Sequence, residues 1–316
     1  MNKKQLKTVS FAVIVLTICY LCFLIVNKST DPQEMKRYLQ VQQQQSYQTA
    51  IPSVKSLQNQ TWVQIFRDDF NRKKLNTSIW NVANYMYHTD WEQTLYQGYN
   101  VYVQNGNLVI KTKFDQIPYN DTGRDYNYTT RWIDSQDKFF YKYGYAEVRI
   151  KFSKMVQNDL IWPAFWSLGT QMYWPTGGEI DTLEVNCNWG TNGQAKAFRT
   201  NHWGPKHDVD MCYACGTKFN GKLDFTQYHN YTSVWNETQI DWYIDGNLYR
   251  TVANGTKIDS ANGTVELPKW NHYFIFNQAI WEGATPNPQD YPKYMYVDYV
   301  TVLQPLQTYL NQQQKH

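Results

Sequence analysis

Between about Trp62 and Gln304 the chain alternates apolar and polar residues with a period of two. In YGYAEVRIKF, Ala146, Val148, Ile150 and Phe152 fall on one side and Tyr145, Glu147, Arg149 and Lys151 on the other. That is the pattern of a strand with one buried face. NVYVQNGNLVIKTKF carries an Asn105-Gly106 turn between two β-rich runs, and IDWYIDGNLYRTV repeats the design with Asp245-Gly246. Both predict tight hairpins. YMYVDYVTVLQ supplies a last strand. Roughly 240 residues of short strands and turns predict one all-β domain, a sandwich or a barrel, over residues 61–305.

The ends of the chain read differently. Lys3, Lys4 and Lys7 precede an uncharged apolar run from Val9 to Val26, VSFAVIVLTICYLCFLIV. The run has about the minimum length of a membrane span and is longer than most signal-peptide cores. Asn27, Lys28, Ser29 and Thr30 offer no convincing cleavage pair, and lysines ahead of the span favour a cytoplasmic N-terminus. The reading is an uncleaved signal-anchor in residues 1–30, giving a single-pass type II membrane protein. A cleaved signal peptide and a secreted domain are the alternative. Residues 31–60 are polar and Gln-rich and predict a flexible stalk. Residues 306–316 read as a frayed tail.

Both alternatives place the domain outside the cytosol. Sequons at Asn59, Asn76, Asn120, Asn127, Asn230, Asn236, Asn254 and Asn262 agree with a glycoprotein there. Cys187, Cys212 and Cys215 are an odd set for an oxidising compartment, which predicts one disulfide and one thiol left over, with the pairing open. Cys212-x-x-Cys215 has no second pair at zinc-finger spacing.

Composition narrows the function. The chain is 17% aromatic, with 13 Trp and 26 Tyr, and only 18% charged. Flat amphipathic rings in such number suit sugar faces as well as a large β-core. The net charge is +3, with no Lys/Arg block in the folded part, so a nucleic-acid footprint is absent. There is no internal repeat, and a monomer is the default expectation.

The sharpest chemistry lies in TGGEIDTLEVN, where Glu179, Asp181 and Glu184 sit in a strand-like run. On a regular strand Glu179 and Asp181 share a face and Glu184 points to the other. A β-bulge at Thr182-Leu183 would return Glu184 to the same face. Two carboxylates flanking a sugar bond are the usual equipment for glycoside hydrolysis. A third can hold the nucleophile by a hydrogen bond and, by repulsion, keep the acid/base protonated. Three acids on a solvated strand are the bland alternative. It fits poorly beside Trp162, Trp166, Trp174 and apolar neighbours.

These residues resemble glycoside hydrolase family 16, in particular its laminarinase-like β-1,3-glucanases, whose signature is E-x-D-x-x-E on a bulged strand. WVQIFRDDFN, NVYVQNGNLVIKT, YGYAEVRIKF, IWPAFWSLG, YWPTGGEID, IDWYIDGNLYRT and YMYVDYVTVLQ follow the family's order across Trp62 to Gln304. The resemblance implies a β-jelly-roll sandwich of concanavalin A-like type with a concave substrate cleft. It implies Glu179 as nucleophile, Asp181 as helper and Glu184 as acid/base. Trp162, Trp166 and Trp174 would supply ring surface under glucose units, although Trp174 reads almost equally as rim packing. His202 in RTNHWG would sit near the acid/base, or be a hydrogen-bonded core histidine. Asn100 and Asn277 match positions that bond sugar hydroxyls, and each could equally be a turn or ladder residue. Arg131 matches a sugar subsite with one residue missing before it. The resemblance also implies a structural Ca²⁺ on the convex face, held by the Asp298 carboxylate, the Gly106 carbonyl and a residue near Asp68. Asp298 reads as well as a plain outward position in a strand. No cofactor enters the chemistry.

The segment from Asn186 to Gly216 is Cys- and Asn-rich, and QAIWEG lacks the family's double Gly, so subsites beyond the acids are open. The leading expectation is a retaining endo-acting hydrolase of β-1,3-glucan or mixed β-1,3/1,4-glucan polysaccharide. A cell-surface glucan transglycosylase is the enzymatic alternative. A non-catalytic β-glucan-recognition protein is the alternative of another class, and the presence of all three acids speaks against it.

Overall fold

The computed structural model describes residues 49–83, 92–97, 99–117, 126–155, 161–171, 173–186, 195–205, 210–213, 219, 222–258, 263–281 and 284–313. The apolar run 9–26, residues 31–48 of the expected stalk, Cys187, Cys215, the Cys212 side chain and the sequons at Asn120 and Asn262 lie outside the described residues. Among the described residues no helix is long and apolar enough to cross a membrane.

Residues 49–313 form two large sheets packed face to face, a jelly-roll sandwich. Across the first sheet the path runs Asn247–Ala253, Gln239–Ile244, His229–Trp235, Gly144–Phe152, Lys293–Pro305, Asn107–Ile117, Tyr126–Thr130 and Thr94–Tyr96. Trp62–Asp68 and Val101–Gln104 add to it at the sides. Across the second it runs Met211–Tyr213, Lys196–Trp203, Glu179–Asn186, Ile161–Gly169, His272–Ile280, Trp132–Asp134 and Asn81–Val82. Pairing is antiparallel except between Thr94–Tyr96 and Tyr126–Thr130. Positive φ at both Asn105 and Gly106, and at both Asp245 and Gly246, gives the two hairpins the twist of their strands.

Alternation decides which side chains meet between the sheets. Ala146, Val148, Ile150 and Phe152 from the first sheet join Phe165, Ile180, Leu183, Val185, Phe274 and Phe276 from the second in one buried cluster. Fully burying each large apolar side chain stabilises by about 1.5–3 kcal/mol. Phe165 stacks on Phe276 with centroids 4.6 Å apart, tying neighbouring strands of the second sheet.

The opposite face of Gly144–Phe152 departs from a solvated pattern: Tyr145 and Glu147 are buried. They are covered by residues 49–57, which the composition placed in the stalk. Thr49–Ala50 pairs with Trp62–Val63, and Val54 is buried with Trp62, Tyr145, Val234, Tyr243 and Leu303. Ser53 Oγ donates to Glu147 Oε2 at 2.5 Å. Thr232 Oγ1 at 3.0 Å and Tyr299 OH at 2.8 Å add donors to the same carboxylate, and Tyr145 OH adds another. Among the described residues, 49–57, which the composition placed in the stalk, therefore pack as part of the folded unit. The Gln-rich composition ends before Ala50, Val54 and Leu57, whose few apolar contacts suffice to dock the segment.

The expected tail is likewise structured. Leu306–Gln313 is a helix of eight residues, none of them fully buried. It is held by amides: Gln312 Nε2 donates to Lys142 O at 2.9 Å, and Gln304 Nε2 donates to Gln312 Oε1 at 3.2 Å. Its apolar spacing, Leu306, Tyr309 and Leu310, is too short a run to establish a helix from sequence.

Candidate active site

The outer face of the second sheet carries a cleft of ≈ 600 Å³. Trp162, Ala164, Trp166 and Leu168, alternate residues of one strand, line its floor, while Phe165 between them points into the core. The next strand starts from a constrained turn. Gly178, immediately before Glu179, has φ +83°, and a Cβ at Gly169 would lie 2.2 Å from the Gly177 carbonyl oxygen. A residue with a side chain at Gly169 would push the turn apart and displace the first acid.

The three acids reach one face through an irregularity in register. Asp181 pairs with Thr200 and Glu184 with Phe198, so three residues on one strand match two on its neighbour. On the other side the register jumps between Phe165–Leu183 and Trp166–Asp181. Thr182 and Leu183 both face the sandwich interior: Thr182 Oγ1 lies 2.8 Å from Ser233 Oγ of the other sheet, and Leu183 is fully buried. This is a β-bulge, and it turns Glu184 back to the cleft beside Glu179 and Asp181.

Each glutamate takes an indole N–H. Trp174 Nε1 donates to Glu179 Oε2 at 2.6 Å, and Trp162 Nε1 donates to Glu184 Oε1 at 2.9 Å. Thr200 Oγ1 adds a long bond to Glu184 Oε2 at 3.4 Å. Asp181, 2% exposed, has Oδ2 at 3.4 Å from His202 Nε2, an ion-pair contact rather than an aligned hydrogen bond. His202 Nε2 is also 3.9 Å from Glu179 Oε1, and its Nδ1 lies 2.8 Å from Asp210 Oδ2.

Burial penalises charge on all three acids and raises them. Glu179 stands well above the ordinary carboxylate range, through burial first and then repulsion from Asp181. Glu184 is pushed up to about 7 by burial and by the charge of Glu179, against the pull of His202, Trp162 and Thr200. At His202 burial disfavours the cation, but Glu179, Asp181 and Asp210 together overcome it and raise the imidazole to about 12. Burial and mutual repulsion thus hold protons on this group of acids near neutrality, and the His202 cation is the charge that opposes them.

Trp162, Trp166, Trp174, His202 and Asn277 all line this cleft. Trp174 is 41% exposed at the rim, with its indole N–H spent on Glu179. Asn277 Oδ1 accepts from Trp166 Nε1 at 2.8 Å and Asn277 Nδ2 donates to Tyr96 OH at 3.2 Å, so this amide orients the floor. Two expected subsite residues are elsewhere. Asn100 is buried and does not line the cleft; its Nδ2 donates to Gln97 O and Thr129 Oγ1, both at 3.0 Å. Arg131 does not line it either; its Nη1 donates to the Ala83 carbonyl and ties two loops together. Sequence reasoning missed Glu92, Trp132, Asp210 and Trp281, which do line it. Trp132 packs edge-on against Trp166, and Trp281 lies 5.1 Å from Trp162. The aromatic content was the signal for the two tryptophans. For Asp210 there was none, because its partner His202 is reached only through the fold.

The convex face does not fit the calcium ion that the resemblance implied. The Asp298 carboxylate is paired with Arg149, Nη1 to Oδ2 at 2.5 Å. Asp68 is committed to the Trp80 indole at 2.8 Å and to the Phe70 amide at 2.9 Å. In the cleft, Glu179, Asp181 and His202 are close enough to share a metal ion, while His202 Nδ1 pairs with Asp210 Oδ2 at 2.8 Å.

Residues 86–301 match the family model described as Glycosyl hydrolases family 16. Glucan endo-1,3-beta-glucosidase A1 of Niallia circulans is 32% identical over 263 residues, which cover 75% of this chain and 37% of that protein. The chain thus spans little more than a third of this relative's length. The crystal structure of the laminarinase catalytic domain from Thermotoga maritima superposes with a TM-score of 0.60 at 26% identity, over 77% of this chain and 98% of that one. The endo-beta-1,3-glucanase from Pyrococcus furiosus superposes with a TM-score of 0.60 at 26% identity, over 80% and 98%. With a family model matching well over half of its length, the chain belongs to glycosyl hydrolase family 16.

Proposed function

We propose that the protein is a retaining, endo-acting glycoside hydrolase that cleaves β-1,3-glucan or mixed β-1,3/1,4-glucan. The observation that carries this reading is the arrangement of Glu179 and Glu184. They project from one bulged strand into one tryptophan-lined cleft, with Glu184 raised to about 7 and a cation set against Glu179. Two relatives named as β-1,3-glucan hydrolases support the substrate class.

In the first step a Glu179 carboxylate oxygen attacks the anomeric carbon as the bond to the leaving oxygen breaks, and Glu184 gives that oxygen its proton. Asp181 shares a hydrogen bond with Glu179 and so helps hold the nucleophile in place. In the second step Glu184, now ionised, takes a proton from water. The water oxygen bonds to the anomeric carbon, and the ester to Glu179 breaks. Configuration is retained after two inversions. The apolar run 9–26 would hold the domain at a membrane surface, with the cleft outside the cytosol.

The test incubates the full chain with laminarin, lichenan, xyloglucan, agarose and carrageenan and sizes the products. Laminarin or lichenan should yield oligosaccharides with new reducing ends. Glu179→Ala should be inactive, with added azide restoring release of a glycosyl azide of inverted configuration. Rescue of Glu184→Ala with inverted product, and not of Glu179→Ala, would exchange the two roles. No cleavage of any of these glycans would sink the hydrolase reading.

A further inference from the structure

His202 is the only basic residue among the described residues that line the cleft. It sits between carboxylates on both sides. Asp181 and Glu179 approach Nε2 from the neighbouring strand at 3.4 and 3.9 Å, and Asp210 approaches Nδ1 at 2.8 Å from the start of the hairpin strand Met211–Tyr213. Glu184 also feels its charge, and the Trp174 ring lies over it with centroids 6.1 Å apart. An imidazole with an acceptor at each nitrogen is held protonated at both. Asp210 is the shortest of these contacts, and it touches neither glutamate in the described geometry. Among the described residues its polar contact is His202.

We infer that Asp210 is a positioning residue for hydrolysis: its carboxylate fixes the His202 ring as a cation facing Glu179 and Asp181. This rests on the assignment of Glu179 as nucleophile. The cation stands 3.4 Å from Asp181 and 3.9 Å from Glu179, so it favours ionisation of that pair against the burial that opposes it. Without Asp210 the ring has one flank of carboxylate fewer and can release its proton or turn. Glu179 then faces Asp181 with no countercharge and holds a proton that blocks its attack.

Asp210→Asn keeps the side-chain shape and one acceptor oxygen but removes the charge. In the full chain labelled with ¹⁵N-histidine, the His202 signal, assigned by its loss in His202→Asn, should show two protonated nitrogens in the parent through at least about pH 8. In Asp210→Asn it should change to the neutral pattern at lower pH. The acidic limb of the laminarin kcat profile should move up by about one unit or more, so that kcat at the acidic edge falls about tenfold with KM within about twofold. Asp210→Glu should restore both readouts. An imidazole signal and pH profile like the parent's in Asp210→Asn would overturn the inference. So would a loss of kcat uniform in pH with the imidazole unchanged, the mark of a scaffold role. If the parent cleaves no glucan, the hydrolase reading fails separately, and the imidazole spectrum alone decides on Asp210.

Discussion

Replacing Trp162 by Phe tests the acid/base role proposed for Glu184 with a sign that is not intuitive. The substitution keeps an aromatic ring against Trp281 but removes the indole N–H that reaches Glu184 Oε1 at 2.9 Å. That bond favours ionised Glu184 over its protonated form. A hydrogen bond to a charged group contributes about 1.5–3 kcal/mol and one between neutral groups about 1, so the difference is roughly 0.5–2 kcal/mol. At 1.36 kcal/mol per unit this amounts to about one pKa unit. With the bond gone, burial and the repulsion of Glu179 act with less opposition, and Glu184 should rise from about 7 to roughly 8. Because the acid works in its protonated form, the alkaline limb of kcat/KM should move up by about one unit, since that limb reports the free enzyme's acid. The variant should thus keep its activity at a pH where the parent has begun to lose it, even if lost ring surface raises KM. The assay is kcat/KM on laminarin across the neutral and alkaline range, with a melt at each pH to confirm folding. An alkaline limb that stays put or moves down in a folded variant would refute Glu184 as the acid, or the bond as its regulator.

Two further predictions concern the scaffold. Removing residues 1–60 should cost far more stability than removing 1–48, because only the longer cut takes Val54 from its cluster and Ser53 from Glu147. One buried valine and one bond to a carboxylate sum to about 3–5 kcal/mol, or a melting temperature lower by roughly 10 °C. Equal melting temperatures for the two truncations would show that the segment does not dock. On the convex face, EDTA should leave the melting temperature within about 1 °C, since Arg149 already neutralises Asp298. A drop on chelation that added Ca²⁺ reverses would show a metal site that the Arg149 pair does not preclude.

Much of the sandwich was legible in the chain because its cause is local. Alternation places Ala146, Val148, Ile150 and Phe152 on one face, and the two Gly-containing turns set the hairpins. What stayed hidden depends on partners distant in sequence. Glu147 reads as a solvated strand position until Ser53, Thr232 and Tyr299 are brought over it. Asn100 reads as a sugar ligand until Thr129 takes its amide, and Arg131 until Ala83 takes its guanidinium. A polar side chain offers the same donors to a sugar or to a backbone, and only the fold decides which arrives first.

The acids show the same division within one site. Their spacing shows that a regular strand cannot present all three to one face, and so calls for an inserted residue. It does not say why the insertion is tolerated. Thr182 and Leu183 answer that together: one bonds to Ser233 across the sandwich and the other fills the core, so the extra residue is anchored rather than merely accommodated. The bulge therefore couples the catalytic face to the packing between the sheets. Substitutions at Ser233 or Thr182, neither of which lines the cleft, should disturb Glu184 before they disturb Glu179, because Glu184 follows the bulge and Glu179 precedes it. Glu184 is held by the fold as a whole, whereas Glu179 is held by the Gly178 turn next to it.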